Sequence, residues 1–312
     1  MHKFLRAVGF SKVKDRKELT ALITNSIQVS TRRSYVTTKD DGIIAVFERD
    51  FADDIGLAVC GEFDDEDKFI YEYYFPYLIP SGISTEEDLN VERHAAFVSY
   101  AGVCNEPRVG VTLIFYLQNM IPYIKYENEA KFPIRGTTLS LSALSIKGQI
   151  MMPIAKTEEE IEVAKKKTNY RNKLINNARK GDESAIESLT LDDMDLYTSL
   201  SKKIRKQDVF SLVDSYFMPY GVECDHYSVL GEITETRRVT NNLTGEGVYI
   251  LRINCNDLEF DLCINEVDLL GEPLVGRRFK GIFGCRDLSI SLIQRDSFYF
   301  FCLGKRCNYK LF

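Results

Sequence analysis

Short turns between consecutive strands in the first half of this chain leave no room for parallel crossovers, which favours antiparallel pairing there. Apolar and polar residues follow a strand period over 43–50, 55–63, 68–79, 95–104, 109–116 and 137–151. Turn signals such as Asp40-Asp41-Gly42, Asp64-Asp65-Glu66-Asp67 and Asn105-Glu106-Pro107 stand between them. A parallel neighbour needs a crossover of about a dozen residues or more. One or two helices are expected on a face of the sheet, the first carrying Leu19, Leu22, Ile23 and Ile27 beyond the break at Gly9. Ser84-Thr85-Glu86-Glu87 has the form of a capping box opening a short helix between two strands.

Past Pro153 the period changes to helical. Thr157 with Glu160 makes a capping box ahead of Ile161, Ala164, Leu174, Ile175 and Ala178, Gly181 supplies the stop, and Asp182 the next cap. Thr190 with Asp193 is expected to start a third helix, and a fourth is expected over 209–217 before Pro219-Tyr220-Gly221. Strand period returns over 227–236, 247–255, 258–264 and 278–283, with a tight turn at Asn256-Asp257. Short strands at this density suit a small barrel. The expected class is α+β: an antiparallel α+β domain over 1–153, a helical connector over 154–218 and a small β-barrel over 219–312.

At 312 residues, with 45% hydrophobic and 28% charged side chains, the chain can bury a core and is not expected to be disordered. Its start carries charge where a secretory signal would be apolar, and no apolar run approaches the roughly 20 residues of a membrane span. A cytoplasmic location is expected, so the eight cysteines read as thiols. Cys60, Cys104, Cys255, Cys263 and Cys302, set among apolar strand neighbours, read as packing residues. The net charge of −6 shows no segment with the basic excess that drives phosphate-backbone binding, which disfavours nucleic acid as a partner.

Four stretches carry a resemblance: Met1-His2-Lys3-Phe4-Leu5-Arg6-Ala7-Val8-Gly9-Phe10-Ser11, Ala178-Arg179-Lys180-Gly181-Asp182-Glu183, Tyr216-Phe217-Met218-Pro219-Tyr220-Gly221 and Gly276-Arg277-Arg278-Phe279-Lys280-Gly281. Through them the chain resembles an uncharacterised family from clostridial bacteria, to about residue 284. The resemblance implies a bacterial cytoplasmic protein and brings no activity, cofactor or site. It also implies a continuation past Phe-Lys-Gly with an aromatic strand containing Trp-Leu-Gln-Gly, where this chain has Gly284-Cys285-Arg286-Asp287 and no Trp at all. A shift of one base at that point can convert one reading into the other, which would make 285–312 a frame-shifted tail with Phe298, Tyr299, Phe300 and Phe301 poorly packed. The alternative is a genuine last strand, in which Leu288, Ile290 and Leu292 alternate with Ser289 and Ser291. The codons at 283–287 decide between them.

Candidate chemistry is sparse. Cys224 and His226 lie two apart on a strand and could act as nucleophile and base in a hydrolase or transferase, although strand neighbours at that spacing splay about 6 to 7 Å apart. A zinc site joining them to Cys302 and Cys307 lacks a finger or ribbon spacing, and His2 and His94 have no visible partner, so no metal or cofactor is expected. Phe69, Tyr71, Tyr73, Phe75 and Tyr77 alternate and could stack on a base or sugar, or form the buried side of a sheet. Asp192, Asp193 and Asp195 lack the glycine and distal glutamate of a calcium loop and read as first-turn acids. Arg277, Arg278 and Lys280, with Arg237 and Arg238, could form an anion pocket for a nucleotide, or be solvated surface charge. The Arg-x3-Arg and Asp/Asn-x-Ser-x2-Gly patterns of a cyclic-dinucleotide barrel are absent.

With no nucleophile, base and stabiliser converging, the sequence points to a non-enzymatic protein that binds another protein or a small anionic ligand, away from membranes. A phosphate-ligand receptor at the basic cluster and a cysteine-dependent hydrolase or transferase at Cys224 and His226 are the alternatives.

Overall fold

The structure, a computed structural model, describes residues 3–38, 42–86, 89–93, 99–128, 137–154, 157–204, 209–220, 226–284 and 289–294. The chain opens with a 3-10 turn, Lys3–Val8, that buries Phe4, Leu5, Ala7 and Val8. Gly9 follows at φ 93°, where a Cβ would stand 2.7 Å from the Cβ of Asn241. Asn241 holds this turn to the far end of the sequence. Its Nδ2 donates to the Val8 carbonyl at 2.8 Å, and its Oδ1 accepts from the backbone N–H groups of Leu243 and Thr244. Because Asn241 is fully buried, Asn241→Ala leaves these groups without partners and is expected to cost about 2 kcal/mol. An unchanged urea midpoint in that variant would contradict the anchor.

Helix α1 (Arg16–Gln28) starts where Asp15 accepts from the Glu18 N–H, and it buries Leu22, Ile23 and Ser26. A four-stranded meander follows: β1 (Arg32–Thr37), β2 (Ile43–Ala52), β3 (Ile55–Phe63) and β4 (Phe69–Leu78), in that spatial order and antiparallel throughout. Asp54 at φ 64° and Asp67 at φ 59° supply the left-handed turn positions, which Asp adopts more readily than most residues.

The aromatic run on β4 does not keep to one face. Tyr73 pairs with Cys60 and Tyr71 with the next residue, Gly61, which leaves Glu72 as the extra residue of a bulge. The bulge swaps the alternation. Phe69 packs with Phe47 and Phe63, at ring centroids 4.6 and 5.5 Å away, whereas Tyr73, Phe75 and Tyr77 join the other core cluster.

A second sheet contains, among the described residues, eleven strands. They are β5 (Leu89–Arg93), β6 (Tyr100–Glu106), β7 (Val111–Leu117), β8 (Thr137–Met151), β9 (Tyr216–Pro219), β10 (His226–Thr240), β11 (Gly247–Cys255), β12 (Leu258–Asn265), β13 (Leu269–Leu270), β14 (Arg278–Gly284) and β15 (Ser289–Gln294). Helix α2 (Met120–Asn128) lies between β7 and β8 and carries Pro122 in its first turn, where no intrahelical donor is lost. Helices α3 (Glu158–Arg179), α4 (Glu183–Ile204) and α5 (Val209–Leu212) lie between β8 and β9.

Composition changes at Pro153, but the sheet does not divide there. β8 pairs antiparallel with β14 and β15 along one side and parallel with β12 and β13 along the other. β10 pairs with β9, β11 and β14, and β11 with β12. Pairing is mainly antiparallel, and β15 adds one more parallel partner, β7. β15 carries the part of the expected tail that falls within the described residues, and it ladders with β8 from Ser289 to Gln294. Residues 298–301, whose aromatics a frame-shifted tail would leave poorly packed, lie outside the described residues.

Three local expectations are corrected. Ser84 does not cap a helix: its Oγ accepts from the Leu141 N–H while Thr85 bridges Leu139, so the segment is tied to β8. Thr190 starts no helix, because α4 runs through it and its hydroxyl bonds the Ile186 carbonyl one turn back. The helix expected over 209–217 ends at Leu212, and Tyr216–Pro219 pairs with β10. Cys60, Cys104, Cys255 and Cys263 are buried, and burial pushes the thiols of Cys60 and Cys255 up to about 12, which keeps both protonated at neutral pH. Among the described residues no helix is long and apolar enough to cross a membrane.

Candidate functional site

The basic residues singled out from the sequence do not meet in one pocket. Arg237 and Arg238 pair with Ile250 and Tyr249 across the sheet, while the Arg277 carbonyl accepts from the Ile233 N–H. Ile233 and Arg237 stand four positions apart along the strand, about 13 Å. Each arginine is already engaged. Arg237 reaches Asp54 at the β2–β3 turn, Arg238 holds Glu266 at 2.7 Å, and Arg277 donates to the Glu272 carbonyl at 2.8 Å. Arg278, 7% exposed, donates to the carbonyls of Met152, Val213 and Phe210 at 2.8 to 3.0 Å, and burial lowers its pKa. It thereby straps α5 and the end of β8 to β14. Lys280 lies 3.7 Å from the centroid of the Phe210 ring.

Cys224 lies outside the described residues. His226 opens β10 opposite Gly284. His2, His94, Cys302 and Cys307 also fall outside, and among the described residues no group of three or more metal-ligating side chains forms.

Two buried charge clusters, invisible in the sequence, clamp the loop between β4 and β5. Glu106 is 1% exposed and accepts from the Arg108 backbone N–H at 3.1 Å, from Nε at 2.7 Å and from Nη2 at 2.7 Å. Burial pushes its carboxyl up, but the bonds and charge of Arg108, with help from Thr85, hold it below the ordinary glutamate value. Arg108 reaches onward to the carbonyls of Ser84 and Asp257, both at 2.9 Å. Nearby along the loop, Asp261 accepts from the Ser81 N–H at 2.6 Å and from its hydroxyl at 3.0 Å, with Arg252 at 3.4 Å. Here burial wins, and the Asp261 carboxyl is raised. These groups tie β6, β11, β12 and the loop together, and their acceptors are spent on protein donors.

The α3–α4 hairpin differs from this interior. Thr157 and Glu160 form the reciprocal capping box that opens α3. Gly181 at φ 88° makes the turn, and Asp182 caps α4 by accepting from the Ser184 and Ala185 N–H groups. The hydrogen bonds from Ser184 and Ala185 hold the Asp182 carboxyl below its ordinary value. Asp192, Asp193 and Asp195, expected in a first turn, lie midway along α4, and Asp193 pairs with Arg171 of α3 at 2.8 Å. Apolar side chains stand in water along both helices: Val163 at 63% exposure, Tyr170 at 55%, Ile186 at 48%, Leu191 at 57% and Met194 at 62%. Thr190, Asp193, Met194 and Thr198, spaced to share one side of α4, line an open groove of about 380 Å³. No motif announces this groove; the available signal was the helical period of α4 with more apolar residues than one buried stripe needs.

A family model described as "Domain of unknown function, E. rectale Gene description (DUF3881)" matches residues 5–283. The match ends one residue before Gly284, so 285–312 lie beyond it. No curated protein and no solved structure matches the chain.

Proposed function

Because the chain belongs to the DUF3881 family, whose function is unknown, and inherits no activity from it, we propose from its own geometry that it is a non-enzymatic, cytoplasmic bacterial protein that binds another protein. The α3–α4 hairpin is the contact surface in this reading. The carrying observation is the exposure of Tyr170 on α3 and of Ile186, Leu191 and Met194 on α4, the last of them lining the groove, in a molecule whose buried carboxylates are engaged internally. Glu187, Asp192, Asp193 and Asp195 give this helix an acidic character, which favours a partner segment whose apolar side chains are flanked by lysine or arginine.

In the same reading, the pairings β8–β14, β14–β10, β10–β11, β11–β12 and β12–β8 close a small barrel that serves as the rigid support. A small anionic ligand would need free guanidinium groups, and Arg278 has committed its donors to backbone carbonyls.

A photo-crosslinking residue placed at Met194 in the producing cell tests the reading. A discrete adduct is expected at Met194, absent when the same residue is placed at Val267, which is 70% exposed elsewhere. Asp195→Lys should reduce that adduct several-fold, since it reverses a charge in the groove's surroundings. Equal labelling at both positions, or none at Met194, overturns the proposal.

A further inference from the structure

The meander ends in an edge strand on which Ile70 and Tyr71 are exposed, one on each face. β4 pairs with β3 on one side, and among the described residues no strand pairs with its other side. Lys68, Ile70, Tyr71 and Glu72 are all exposed, Ile70 at 53% and Tyr71 at 46%. Isolated exposed apolar residues are ordinary, but neighbours on an open strand edge form a template for another strand. We propose that two copies of this chain pair through the outer edge of β4, antiparallel, about a two-fold axis at Ile70.

The residue order carries the choice of a second copy. Reversed about Ile70, the segment Lys68-Phe69-Ile70-Tyr71-Glu72 is self-complementary. Ile70 meets Ile70 and Phe69 meets Tyr71, joining β-branched and aromatic partners, while Lys68 and Glu72 of the two copies bring opposite charges together at the ends of the stretch. The backbone fits the same axis. The Asp64 N–H donates to the Lys68 carbonyl, and Glu62 stands opposite Ile70. Antiparallel alternation then turns the peptide groups of Ile70 toward β3 and those of Phe69 and Tyr71 outward, where each Phe69 can exchange both bonds with Tyr71 of the other copy. The bulge at Glu72 and the missing N–H of Pro76 end the compatible stretch on one side, and the Asp64–Asp67 turn ends it on the other. The register is therefore fixed and the assembly closes at two copies. This surface is separate from the helical hairpin and does not depend on its role.

Sedimentation velocity on the full chain, over a range of protein concentration, tests the proposal. A reversible dimer is expected. Glu72→Lys sets lysine against Lys68 twice across the axis and should weaken the dimer roughly tenfold. Lys68→Glu combined with Glu72→Lys restores both pairs and should bring the affinity back. Ile70→Lys places two like charges on the axis and should yield monomer. Thermal midpoints confirm that each exposed substitution leaves the fold intact. A wild-type chain that stays monomeric, or a dimer indifferent to Glu72→Lys and Ile70→Lys, overturns the proposal.

Discussion

A fragment beginning at Pro219, produced alone, will be unfolded, and it will fold when mixed with a fragment ending at Pro153. The sequence divides at these points by composition, yet β8 lies between β14 and β12 and pairs with both. Without β8 each of those strands gains an open edge inside the core. The side chains of Leu139, Leu141 and Leu144, each at most 2% exposed, are lost with it. At about 2 kcal/mol for each buried leucine, their loss alone approaches the roughly 5–15 kcal/mol that stabilises a whole domain. A protease cut between α3 and α4 should consequently leave a nicked but folded protein whose halves migrate together. Circular dichroism melts of the fragments, separate and mixed, check this: a cooperative melt from 219–312 alone would refute the central role of β8.

What the sequence made legible was local. The apolar run of β3, the alternation over β8, the capping box of Thr157 with Glu160, and the glycine and aspartate at the turn before α4 each specify structure within a few residues. What stayed hidden depended on distant partners. Tyr216–Pro219 had helical neighbours, and its strand exists because Tyr227 to Leu230 offer it a ladder. Ser84 and Thr85 matched a capping motif, but Leu139 and Leu141, more than fifty residues on, took their hydrogen bonds instead. The bulge that turns Tyr71 and Tyr73 out of alternation leaves no mark in a run of aromatics.

The same distinction separates the sites. Shared basic character on the expected barrel strands suggested that Arg277, Arg278 and Lys280 act together with Arg237 and Arg238, whereas strand register parts them and gives each arginine its own acceptor. Ser81 meets Asp261 across 180 positions, a contact that spacing cannot announce. The hairpin groove was half legible: the period of α4 was visible, but the exposure of its apolar residues is a property of what does not pack on them.

Arg108→Ala is expected to be among the most damaging single substitutions, at about 3–5 kcal/mol near neutral pH, because it leaves the fully buried Glu106 side chain ionised without its guanidinium. Its pH dependence identifies the cause. In the native protein the folded-state pKa of Glu106 is depressed, so its stabilisation is present above the ordinary glutamate value and is lost as pH falls through the depressed one. Without Arg108, burial dominates and the folded-state value rises above the unfolded one. The penalty then applies at pH above that raised value and eases as pH falls through it. The difference in denaturant midpoint between the native protein and Arg108→Ala should therefore be widest near pH 7 and narrow toward pH 4. Adding Glu106→Gln to Arg108→Ala removes the stranded charge and should recover part of the loss at pH 7. A gap that does not change with pH, or a double variant no more stable than Arg108→Ala, would assign the damage to lost packing and to the broken bonds at Ser84 and Asp257, and not to an uncompensated carboxylate.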